Sequence, residues 1–317
     1  MANDFYTAEQ AAKVAVELAV QDSYLGALIS RDFENDLLGG GGKGRTVNVR
    51  IPAALIARSR GIDETQAAIV LDSLSEKTVP ITLGEHAYNA IGLSEGDMSL
   101  ELEDFSAQVL APQVAAVVDY IEELVAEHLR SIPLDTSVGY DSSDPVKTFT
   151  RIRALLRKRG VVPSGLNVIV GTNVYADLLD AKAITDASQS GSTAALREGN
   201  VGQLRGFTVA ESTRVGDDEI VAFHKNAFTL AVRAPKTPEG ATFGQSVSSG
   251  GYSLRYLRDY DVMHTVDRSL VSTFAGVATM PLYKVERDYE ADTAKVVEVA
   301  GGAAFRMVTT NAEPAAL

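Results

Sequence analysis

The sequence predicts an α+β fold, and three observations carry that reading. Helical and alternating apolar patterns occupy separate stretches of the chain. A short α–β–α run lies in its middle, and most of the chain beyond that run reads as strand. The helical pattern comes first. Across residues 7–37, Ala11, Val14, Leu18, Leu25, Leu28 and Ile29 recur at roughly helical steps, and Thr7 with Gln10 makes a capping box. The polar step at residues 21–23, with Gly26 after it, predicts a break into two pieces. The glycines at 39–42 end the helix.

Residues 45–51 then alternate, with Val47, Val49 and Ile51 on one face and Thr46, Asn48 and Arg50 on the other. Val79, Ile81 and Leu83 repeat the pattern after about 25 residues of mixed character. Pro52 and Pro80 cannot donate to a ladder, so both segments read as edge or exposed strands of one long excursion. A two-stranded ribbon is marginal in water by itself. It needs something else to rest on.

Residues 99–103 alternate again and lead into the most regular helix, residues 113–130. Val114, Val117, Val118, Ile121, Leu124, Val125 and Leu129 form its apolar stripe, with Asp119, Glu122, Glu123 and Glu127 between them and Pro112 in the first turn. Its length of roughly 27 Å at 1.5 Å per residue suits a rigid spine. Residues 145–159 form a second helix with clear ends: Asp144 as cap, Pro145 at the first position and Gly160 after the last. A short buried strand at 167–170, Gly171 and a helix at 174–179 come next. Residues 185–195 are small and polar and read as a mobile loop. Residues 204–211, 220–232, 253–267 and 269–275 are β-rich. Residues 296–300 and 303–308 flank Gly301 and Gly302 as a terminal hairpin.

Composition removes several classes of function. Hydrophobic residues make up 45% and charged residues 22% of the 317, as in a folded globular chain, while aromatics are only 7% and Trp is absent. The core is therefore aliphatic. A net charge of −13 argues against a dedicated nucleic-acid binder, because sequence-independent binding needs Lys and Arg on phosphates. The same charge makes copies repel, which an assembling protein must offset through buried interface or local charge pairing. Without cysteine there are no disulfides, thiolate nucleophiles or Cys-based metal sites, as suits a reducing cytoplasm. The N-terminus lacks a basic segment followed by an apolar run, so no secretory signal is expected. Charges interrupt every apolar stretch well short of about 18 residues, so no membrane span is expected.

The candidate chemistry is thin. The glycine tract at 39–44 invites a phosphate-loop reading, but Lys43 is followed by Gly44, and the tract lies between a helix and a strand, the reverse of what a P-loop needs. It reads as a hinge. His86, His128, His224 and His264 show no i, i+4 pairing and no HExxH, and no Ca²⁺ loop is present, so neither metal nor cofactor is expected. A Gly-x-Ser-x-Gly elbow is absent; residues 244–248 come nearest and end in Ser248. No catalytic residue is assigned.

The helix at 145–159 concentrates Lys147, Arg151, Arg153, Arg157, Lys158 and Arg159 in an acidic chain. Three readings stand beside each other: a nucleic-acid patch, a solvated face, and a contact face for acidic surface on a neighbouring copy. No aromatic interleaves these residues to stack bases, which favours the contact face over nucleic acid. Arg151, Arg153 and Arg157, with Val47, Val49, Ile51, Val79 and Ile81 of the excursion, are the candidate subunit-contact residues.

Four segments together resemble the major capsid proteins of tailed bacteriophages with the HK97-type fold, most closely the branch of podovirus-like coat proteins. REGNVGQLRGFTVAES at 197–212 looks like that family's charged turn, Gly-aliphatic step, Gly-Phe and strand ending in Ser. GLNVIVGTNVYADLL at 165–179 is similar to the strand and short helix of its axial domain. VAFHKNAFTLAVRAP at 221–235 and GYSLRYLRDYDVMHTVDRSLVSTFAGVA at 251–278 look like its late strands. The resemblance covers roughly residues 1–285 and has the elements in the family's order.

It implies an N-terminal arm (1–38), an extended loop (39–84), a peripheral domain with the spine helix (85–134), an axial domain (135–260) and a return strand (261–285); the tail (286–317) is not matched by the family's core pattern and reads as an appended hairpin. It implies hexamers and pentamers in an icosahedral shell around double-stranded DNA, without sequence-specific binding of that DNA. Scaffolding, portal and decoration proteins would be the partners, and a virion assembled in the host bacterial cytoplasm the location. The 45–83 excursion would lie on a neighbouring subunit. An encapsulin-type compartment, which shares the fold, and an unrelated soluble enzyme are the competing readings.

Overall fold

The computed structural model describes residues 7–31, 46–51, 57–59, 61–62, 69, 71, 77–93, 105–181, 201–241, 243–249, 252–263, 266–288 and 293–309. They fall into two compact units. One draws on Met1–Val47, Ile81–Leu129 and Phe228–Ala278, the other on Asn48–Pro80, Arg130–Ala227 and Thr279–Leu317. The glycine tract at 39–44, the alternation at 99–103, the polar stretch at 185–195 and His264 lie outside the described residues.

In the first unit, helix α1 (Ala8–Asp22) starts at the expected capping box. The Thr7 hydroxyl accepts from the Gln10 amide at 3.3 Å, and the Gln10 side chain accepts from the Thr7 amide at 2.8 Å. The chain breaks at Ser23 and Tyr24, where the polar step falls, and resumes as the single turn α2 (Leu25–Leu28). The buried stripe of α1 is Ala11, Ala12, Ala15, Val16 and Ala19. These side chains are small, so the helix can lie close on strands β9 (Phe243–Ser249) and β10 (Tyr252–Asp261).

The spine helix α3 (Ala111–Arg130) holds Pro112 in its first turn as expected, but it does not begin from a loop. A π-helical turn, Ser106–Leu110, runs directly into α3, and the Ala111 amide reaches back to the Ser106 carbonyl. A proline inside a helix lacks its donor and crowds the carbonyl four residues back. The wider turn just before Pro112 is where that misfit is taken up. Val114, Val117, Val118, Ile121, Val125 and Leu129 are buried as the periodicity predicts.

The sheet of this unit runs β3 (Glu85–Leu93), β11 (Val266–Thr279), β10, β9, with β8 (Phe228–Arg233) also on β11. The β3–β11, β11–β10 and β10–β9 pairs are antiparallel; Leu270 faces Ala90 on one side and Leu257 on the other. Gly276 is required in β11. A Cβ there would overlap the backbone carbonyl of Thr82.

In the second unit, α4 (Pro145–Lys158), β4 (Leu166–Val170) and α5 (Thr172–Asp180) form the expected α–β–α run. The Asp144 side chain accepts from the Lys147 amide at 3.2 Å, and Gly160 adopts φ 94° just past the helix end. All five residues of β4 are buried. It pairs parallel to β6 (Phe207–Glu211) and antiparallel to β7 (Glu219–His224). The Gly-Phe step is the turn from β5 (Gln203–Leu204) into β6. Arg205 and Gly206 have φ of 51° and 85°, and a Cβ on Gly206 would collide with the Arg153 guanidinium.

The terminal hairpin across Gly301 and Gly302 does not form. Residues 293–298 instead make β13 (Thr293–Glu298), paired antiparallel with β12 (Tyr283–Asp288). Beyond the two glycines, β14 (Ala304–Val308) joins β7 and completes the sheet order β14–β7–β4–β6–β5. Phe305 and Met307 are 1% and 3% exposed. Burying them on the edge of an existing sheet gains more than a free two-stranded ribbon could.

Candidate functional site

The excursion is a two-stranded ribbon, β1 (Thr46–Ile51) paired with β2 (Lys77–Thr82), with the Thr46 and Thr82 hydroxyls 3.1 Å apart at its base. Pro80 is tolerated because a two-stranded ribbon consists of edges. Val47 and Ile51 lie in β1, and Val79 in β2 is half-buried. Val49 and Ile81 are 5% and 0% exposed, so they are covered within this chain. Between the strands, Ile62, Ile69 and Leu71 are 100%, 73% and 89% exposed. Large aliphatic side chains standing this far into water are the kind of surface that a partner covers.

The basic helix α4 divides its arginines between two tasks. Arg153 donates to the Arg205 carbonyl, and Arg157 donates to the Val161 carbonyl at 2.5 Å. Arg159 bridges the Ala304 carbonyl at 2.6 Å and Asp135 at 2.5 Å. Burial pushes the Asp135 carboxyl up, but hydrogen bonds from Ser137 and the Arg159 guanidinium outweigh it and hold it below the usual range. Lys147, Arg151 and Lys158 are exposed. Of the three candidate arginines, Arg151 alone presents its charge outward without one of these internal carbonyl bonds. Charge reversal at Arg151 and Arg157 together would therefore also disturb the helix end. Arg151→Glu alone is the clean test: subunit association is expected to weaken several-fold at low salt and much less at high salt, by sedimentation at two ionic strengths.

Two features escaped the sequence. Glu122, interleaved among the polar residues of the spine, is 4% exposed. Its carboxylate accepts from the Leu25 amide at 2.6 Å, the Gly26 amide at 3.0 Å, and the Tyr24 amide and Ser23 hydroxyl at 3.3 Å. Around it, the Tyr252 hydroxyl donates to Ser23 at 2.7 Å, and the Arg31 guanidinium sits 4.3 Å from the Tyr252 ring while donating to the Gly26 carbonyl. One buried carboxylate thus holds α2 onto the spine. The second feature is Arg306 of β14, which donates to Glu219 and to the carbonyls of Arg130 and Ile132. Glu219 also accepts from the Gly216 amide at 3.0 Å.

A cavity of about 600 Å³ in the second unit is lined by Val79, Ile132, Pro133, Met280, Val299 and Ala303 among others, with Glu298 its only carboxylate. Ser131 and Thr279 are the hydroxyl-bearing residues of that lining. His86, His128 and His224 lie on different elements. Among the described residues no cluster of three or more His, Asp or Glu could hold a metal, and no helix is long and apolar enough to cross a membrane.

No protein-family model and no curated protein matches the sequence. Solved structures match along most of its length. A chain from Mycobacterium phage Che8 superposes with a TM-score of 0.60 at 19% identity, over 91% of this chain and 92% of that one. The capsid structure of cyanophage P-SCSP1u gives 0.53 at 9% identity, and the bacteriophage PhiM1 mature capsid 0.51 at 13%, each over 86% of this chain and 84% of the other. With its helical arm, paired-strand excursion, spine helix and mixed second unit, this chain has the HK97-type α+β fold.

Proposed function

We propose that this chain is the major capsid protein of a tailed bacteriophage, a structural subunit that assembles into hexamers and pentamers of an icosahedral shell around double-stranded DNA. The observation that carries the reading is the fold, which matches phage capsid chains over nearly the whole length. In this reading the first unit supplies the peripheral domain with its arm and spine, and the second the axial domain. The exposed Ile62, Ile69 and Leu71 support it, since they give the excursion an apolar surface to lay on a neighbour. The role in this reading is structural and not catalytic. Packaged DNA would be enclosed without base-specific contacts, as befits a chain with net charge −13.

Deleting residues 53–78 tests the bridging role. The expected product is a soluble subunit with normal circular dichroism that forms no closed shells. Normal shells from that deletion would refute it.

A further inference from the structure

The first unit contains a small basin whose charge runs against that of the whole molecule. About 310 Å³ in volume, it is lined by Leu83 and Gly84 before β3, by Glu85 and His86 at its start, by Arg233 at the end of β8 and residues 234–236 after it, and by Phe274 of β11. Arg233 and Lys236 stand in that lining. Arg255 of β10 adjoins it, donating from Nη1 to the Lys236 carbonyl at 3.0 Å and from Nε to the Ser272 hydroxyl at 3.2 Å. Both acceptors are neutral. The one carboxylate in the lining, Glu85, accepts from the Tyr120 hydroxyl at 3.1 Å. The basin therefore gathers Arg233, Lys236 and the adjoining Arg255 against a single acid in its lining, with His86 beside them. Burial and the neighbouring Arg255 charge both hold His86 below the ordinary histidine range, as a locally positive site would.

We propose that this basin is an anion site that receives a carboxylate-bearing segment of a second copy of this chain. The inference rests on the assembling-subunit reading. The chain has 42 acidic against 29 basic side chains, so a second copy has carboxylates to spare. Identical copies at −13 also meet most easily where one presents concentrated positive charge. Size and lining select the occupant. A pocket of about 310 Å³ with the apolar Leu83, Pro235 and Phe274 in its lining suits a single carboxylate side chain, whereas phosphate-backbone binding relies on many Lys and Arg contacts spread along the strand. The site lies beside the link from β2 to β3, so an occupant would also steady the root of the excursion.

The test uses the full chain with labelled histidine, titrated with hexaglutamate, inorganic phosphate or a single-stranded oligonucleotide while the His86 resonances are followed. Hexaglutamate is expected to shift His86 saturably. Lys236→Glu should weaken that binding about tenfold, as loss of a close charge pair does, while Lys225→Glu on the other unit, which changes net charge equally, should not. An unmoved His86, or equal loss in both variants, overturns the site. A response to oligonucleotide or phosphate with none to peptide overturns the choice of occupant. Lys236→Glu is further expected to reduce shell yield; normal shells despite lost peptide binding would overturn the subunit contact. A wild-type chain that never forms particles would instead count against the capsid reading, and the peptide titration would still report on the site.

Discussion

Removing residues 303–317 is expected to unfold the second unit. The deleted strand buries Phe305 and Met307 almost completely, and it covers the edge of β7. Burial of two such side chains contributes roughly 2–3 kcal/mol each. The deletion also leaves Glu219, whose side chain is 6% exposed, without the Arg306 guanidinium, and breaking a buried pair from one side costs about 3–5 kcal/mol. Arg159 loses its Ala304 acceptor as well. The total, on the order of 8 kcal/mol, is comparable to the whole stability of an ordinary domain. Thermal unfolding and solubility check it. A soluble truncated protein melting within a few degrees of the parent would show that the C-terminal segment is an appendage. Arg306→Met, which keeps the strand and removes the guanidinium with its bonds to Glu219 and to the Arg130 and Ile132 carbonyls, should fold and melt several degrees lower.

Glu122→Ala is expected to destabilise the first unit by about 3 kcal/mol, because it leaves the buried Leu25 and Gly26 amides without an acceptor. Glu122→Gln retains one acceptor oxygen but turns an amide toward backbone donors, so it should fall between Ala and the parent. The loss is expected to be local first. Amide exchange at Leu25 and Gly26 should accelerate by orders of magnitude, while amides in the middle of β11 keep their protection. Uniform acceleration through the unit, or none at α2, would contradict the anchoring role.

How much of the fold and the site was legible in the sequence varied with the range of the interactions involved. The α1 capping box, the Asp144–Pro145 start and Gly160 end of α4, and the buried stripe of α3 were readable because each is set by residues three or four apart. The edge character of β1 and β2 came from the proline and the alternation. The destination of β14 was not readable. Residues 303–308 alternate as well as any hairpin arm, and only the distant β7 decides that they join its sheet. Glu122 was hidden for a related reason. It sits one residue from Ile121, where a charge reads as solvated, and its partners at 23–26 are almost a hundred residues away. The candidate arginines on α4 were identified by charge alone. Their division into internal bonds and outward charge depended on the Arg205 and Val161 carbonyls that turns provide. Arg233, Lys236 and Arg255 drew no notice because sequence spacing does not bring β8, β10 and the loop after β8 together.

Electron microscopy of the purified full-length protein tests the central claim most directly. The account predicts closed, roughly isometric shells of uniform diameter, built from many copies. A monodisperse monomer that stays single across protein concentration and ionic strength would contradict it.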